Sequence, residues 1–146
     1  MRALLACLVL LALPAQAADL HGESDAFRGE GVAVAWGVLR GATEETTLVV
    51  LRVTADPRRH SHVEVAGIDP FTKQARTRIE RRALGTTIDL RLPRAGFADF
   101  PRTELRFSGP QSVVVYYLGV PDTTPEFASV AALEAYLAAR LASLRP

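Results

Sequence analysis

The chain has 146 residues, of which 49% are hydrophobic and 23% charged. That balance excludes a disordered chain, and 10 glycines and 9 prolines exclude a collagen-like or low-complexity one. The length suits a single domain, and a net charge of +1 argues against a nucleic-acid-binding arm or a polybasic membrane tether.

Residues 1–17 read as a cleavable secretory signal. Arg2 supplies the positive start, Ala3 to Leu13 an apolar run, Pro14 a break, and Ala15-Gln16-Ala17 a small-x-small cleavage site. The run is too short to span a bilayer, so no transmembrane segment is expected in the mature chain. The Leu4-Leu5-Ala6-Cys7 stretch offers a competing lipoprotein reading, but too few residues precede Cys7. Cleavage after Ala17 removes the only Met and the only Cys. The mature chain would then have no disulfide and no thiolate. A periplasmic or secreted location in a bacterium follows as an expectation.

Residues 18–29 are polar and aperiodic and are expected to form a flexible lead-in. Strands follow over 30–119. Val32, Val34, Trp36 and Val38 alternate with Ala33, Ala35 and Gly37, and Thr46 to Thr54 is dense in β-branched residues. Asp56-Pro57 marks a turn. Val63 and Val65 are expected inward, with His60, His62 and Glu64 outward. Arg76, Arg78, Glu80 and Arg82 share one face of the next strand. Ile88, Leu90 and Leu92 alternate up to Pro93, which ends a ladder. The loop 94–102 carries Phe97 and Phe100 as plugs for one end of the core. Leu105 and Phe107 mark a short strand, and Ser112 to Leu118 a strongly apolar last one. About seven short strands without intervening helices predict a mainly β fold, an antiparallel sandwich of immunoglobulin or fibronectin type III style. The Cys…Trp…Cys spacing of antibody domains is absent, so the likeness is one of architecture.

The period changes over 120–146, a hinge and a helix. Ser129 is placed to cap a helix whose Val130, Leu133, Leu137, Leu141 and Leu144 recur at three- and four-residue steps. Two readings of this stripe stand open. It caps a face or end of the sandwich, or it serves a partner, another periplasmic or envelope protein, as helices in grooves do.

Chemistry is sparse. His60, His62 and Glu64 at two-residue steps would line one face of a strand about 7 Å apart, and neutral imidazoles suit Cu²⁺ or Zn²⁺. His21 or Asp56 would complete such a set, while Arg58 and Arg59 beside it oppose a cation. Arg76, Arg78 and Arg82, with Arg58, Arg59 and Lys73 near them, form a candidate anionic-partner surface. Nucleic acid is disfavoured, because no aromatics are interleaved with these arginines. Trp36 reads as core, and Tyr116 and Tyr117 face opposite ways. No hydrolase elbow, zinc-protease helix, phosphate loop, dinucleotide fingerprint or calcium loop is present. A triad from Asp56, His60 or His62 and Ser61 would lie on one short stretch that cannot converge. The expectation is a non-catalytic, cofactor-free binding module of the cell envelope. The alternative is a Cu²⁺- or Zn²⁺-handling protein using His60 and His62.

Overall fold

Two-residue alternation is written into the strands, and the fold follows from which face each alternation buries. A computed structural model describes residues 16–19, 25–68, 75–85, 87–95, 102–110 and 113–144. His21, Lys73, Phe97, Phe100 and most of the expected signal segment lie outside them. The strands are β1 (Gln16–Asp19), β2 (Ala26–Gly29), β3 (Val32–Leu39), β4 (Leu48–Ala55), β5 (His62–Ile68), β6 (Ala75–Ala83), β7 (Thr87–Pro93), β8 (Arg102–Ser108), β9 (Val113–Leu118) and β10 (Glu126–Phe127). The C-terminal helix spans Val130–Ser143.

The strands form two five-stranded sheets, one ordered β1-β9-β8-β5-β6 and the other β10-β3-β4-β7 with β2 also on β3. Pairing is antiparallel apart from β1 on β9 and β10 on β3. The seven central strands divide as β3-β4-β7 against β9-β8-β5-β6, so the chain repeatedly crosses between sheets, as sandwiches do. This is the sandwich that the strand spacing predicts. The expected cleavage after Ala17 falls inside β1.

Between the sheets, Val34, Trp36, Leu51, Val53, Leu90, Leu105, Phe107 and Tyr116 form the main core. Every one of them sits at an alternating position, and Trp36 is 1% exposed. The β2 strand departs from the expected lead-in. Its Ala26 is fully buried, and Phe27 packs its ring 4.4 Å from that of Tyr116 and 6.4 Å from that of Trp36.

A second apolar cluster lies on the outer face of the β3-β4 pair. Ala26, Ala35 and Val50 meet Leu133 and Leu137 of the helix, with Leu141, Leu144, Tyr136 and Phe127 packed against them. The leucine stripe is therefore consumed within the chain. Leu133 and Leu137 are 3% and 0% exposed, which corrects their assignment, with Leu141, to a partner protein. The physical reason is the small outer face of β3. A Cβ on Gly37 would stand 2.9 Å from Leu133 Cδ1 and 3.2 Å from Phe127 Cε2. Ala33, Ala35 and Gly37 leave a trough into which a helix settles. Ser129 caps it as expected, its side chain accepting from the Ala132 amide at 3.2 Å.

The arginine stripe also changes. Arg82 pairs with core-facing Val63, and directly opposed residues share a face. Arg82 therefore leaves the outer face; it is exposed because β6 is an edge strand. Arg76 and Arg78 lie on β6, with side chains outside the described set.

Gly37→Ala is expected to cost about 1–3 kcal/mol by overpacking the helix seat. It should lower the urea midpoint without altering the m-value; an unchanged midpoint would mean the helix does not sit there.

Candidate functional site

The helix approaches the sheet closely at Gly37. Toward its C-terminal end the facing residues are Ala138, Leu141 and Ala142, above a floor that includes Ala33 and Thr54. Small side chains on both walls leave space unfilled. The result is an open cleft of about 650 Å³, within the usual range for small-molecule sites. Its lining reaches from Arg28 on β2 to Thr87 on β7, with Gly29, Glu30 and Gly31 at the rim.

One wall is fixed by charge. Arg52 rises from the outer face of β4 and donates to both carboxylate oxygens of Asp89, at 2.9 and 3.0 Å, and to Glu134 of the helix. Its side chain is only 14% exposed. The hydrogen bonds to Asp89 raise its pKa beyond the ordinary arginine value, outweighing the opposite effect of burial. At the other end of the helix, Arg140 holds Asp25 through two bonds at 3.2 and 3.3 Å. Arg28 donates to the Leu144 carbonyl at 3.0 Å, satisfying one of the open carbonyls of the last turn.

The rim is strained. β2 and β3 are joined by two residues, Glu30 at φ 51° and Gly31 at φ 77°. Positive φ at both central positions is the type I′ requirement, which Asn-Gly usually meets. A glutamate there costs about 1–2 kcal/mol, and such strain persists only where the surroundings over-determine it. Three donors do so. Tyr116 Oη donates to the Gly29 carbonyl at 2.8 Å, His60 Nε2 to the Glu30 carbonyl at 2.8 Å, and the Asp56 amide to the Gly31 carbonyl at 2.8 Å. Arg59 lies along Gly31 and pairs with the Glu30 carboxylate at 3.0 Å. Asp56 is itself held below the usual carboxylate range, first by the Arg58 backbone amide and then by the Arg58 side chain.

This geometry relocates the histidines. His60 precedes β5 and is fully buried, its ring 5.9 Å from that of Phe107, which corrects the expected outward orientation. Because a carbonyl only accepts, Nε2 carries the proton of this bond; Nδ1 is buried without a hydrogen-bond partner. His62 is exposed, with its Nδ1 2.9 Å from Ser61 Oγ, and Glu64 is half-buried. His60 is therefore not brought to the face that His62 and Glu64 share. Among the described residues no group of three or more His, Cys, Asp or Glu side chains is placed to hold a metal ion. The cleft has no counterpart among the sites that the sequence singles out. A usable signal was present: Gly29-Glu30-Gly31 before an alternating run marks a hairpin, and Ala33 with Ala138 and Ala142 marks under-filled walls.

Burial, and secondarily the Glu30 carboxylate, push the Tyr116 phenol up to about 12 from an ordinary 10.0. Because the folded value lies above the unfolded one, the folded chain keeps a proton that the unfolded chain releases. The corresponding stability is full below pH 10 and lost as pH rises toward 12. Tyr116→Phe should flatten the alkaline limb of the stability profile by about 2–3 kcal/mol; an unaltered limb would contradict the assignment. His60→Phe keeps an aromatic ring but deprives the Glu30 carbonyl of its donor. It should cost about 1–3 kcal/mol and speed hydrogen exchange in the β2–β3 turn. Compared with known proteins, the chain matches no family model, no curated protein and no solved structure.

Proposed function

We propose that the protein is an exported, non-catalytic binding module of the bacterial cell envelope, and that it binds in the cleft between the C-terminal helix and the β2-β3-β4-β7 face. The observation that carries this reading is the cleft itself: about 650 Å³ of open space walled by apolar helix residues and held open by ion pairs. The leucine stripe no longer offers a protein-docking face, since its central residues are buried at home. The export-type N-terminus and the absence of catalytic motifs support the same reading. Among the described residues no helix is long and apolar enough to cross a membrane. Metal handling is the weaker reading, because it needs two imidazoles on one face and His60 is buried elsewhere.

A neutral apolar dye, N-phenyl-1-naphthylamine, tests the site. The purified mature chain should bind it at a single saturable site with enhanced fluorescence. Ala33→Leu and Ala142→Leu, which fill the floor and the helix wall, should each remove the enhancement while leaving the thermal midpoint within a few degrees. An enhancement that survives both substitutions would place the site elsewhere.

A further inference from the structure

The cleft is long and its two ends differ. It crosses four neighbouring strands, β2, β3, β4 and β7, so three strand spacings give it a span of about 14 Å. Its helix wall is apolar, with Ala138, Leu141 and Ala142 over Ala33, and Thr54 continues the floor on β4. At the β7 end Thr87 brings its hydroxyl 3.2 Å from that of Thr54. The β2 end carries Arg28.

Charge accounting separates Arg28 from the other cation of the lining. The charge of Arg52 is balanced by Asp89 and Glu134. The rim carboxylates are taken as well, Glu30 by Arg59 and Asp56 by Arg58. Arg28 has no carboxylate within ion-pair distance among the described residues; its guanidinium gives one bond to the Leu144 carbonyl. A guanidinium has five donors, so that bond leaves a fork free to take a carboxylate side-on. The exposed position of Arg28 leaves it open to solvent at the mouth.

Resting on the binding role proposed above, we infer that the ligand class is a single-chain amphipathic carboxylate. Its head sits on Arg28 and its acyl tail lies across Ala33 beneath Ala138, Leu141 and Ala142. Elongation, an apolar helix wall and one cation free of carboxylates among the described residues are the three features that select this class over a compact polar solute or an organic cation. The tail contributes most of the binding through burial of apolar surface, and the head fixes orientation.

Calorimetric titration of the mature chain with decanoate and with decanol separates the two parts of the inference. Decanoate should bind about tenfold more tightly than decanol, the worth of one charge-assisted contact. Arg28→Gln should remove that difference without weakening decanol. Ala33→Leu and Ala142→Leu should each abolish both. Equal binding of the two, unchanged in Arg28→Gln but lost in both filled variants, would overturn the carboxylate assignment and leave the cleft as the binding site. No binding of either, or binding indifferent to both filled variants, would overturn the cleft reading along with it.

Discussion

Arg52 stands on the outer face of β4, and it is held from two directions. Asp89 on β7 takes it side-on, and Glu134 reaches it from the helix above. An exposed ion pair contributes little, commonly below about 1 kcal/mol. This one is different in position: the guanidinium is mostly shielded, and its three contacts tie two layers of the structure together. Removing Arg52 would leave Asp89 and Glu134 without their shared cation, which is costlier than the pairing is favourable. The helix is thus committed to one register on the sheet. Leu133 and Leu137 supply the burial and Arg52 supplies the alignment, while Gly37 supplies the room for close approach.

The cleft is a consequence of that commitment. A helix pinned at Arg52 and at Asp25 spans a floor made of small residues, and the space under its last turns stays open. Its rim would relax if left alone, because Glu30 sits in a conformation that L-residues avoid. Three hydrogen bonds prevent this, donated by Tyr116 of β9 and by His60 and Asp56 of the β4–β5 turn. Each donor comes from the sandwich core or its connecting turn. The shape of the rim is therefore coupled to the packing between the sheets, and His60 acts as a structural brace.

The sandwich was legible in the sequence because its signal is local. Val32, Val34, Trp36 and Val38 alternate with small residues, and Ile88, Leu90 and Leu92 alternate up to a proline; burial followed in each case. The helix, its Ser129 cap and its buried stripe were legible for the same reason. Whether that stripe met its own sheet or a partner was not, since the answer lies in the smallness of Ala35 and Gly37 on a strand nearly a hundred residues away. His60 misled because two-residue spacing presumes a strand, and β5 begins only at His62. The brace on Glu30 is a contact between residues thirty apart, invisible to any local pattern. The cleft was equally hidden, because it is defined by side-chain volume missing from two separate segments.

The C-terminal helix is an integral layer of the domain and one wall of the cleft. Native-state hydrogen exchange of the amides from Leu133 to Leu137, followed beside those of β4, measures this most directly. These helix amides should open with a free energy close to that of β4, because burying the stripe couples both to global unfolding. Fast exchange of the helix amides while β4 stays protected would show a helix that leaves the sheet independently, and the cleft would lose its wall.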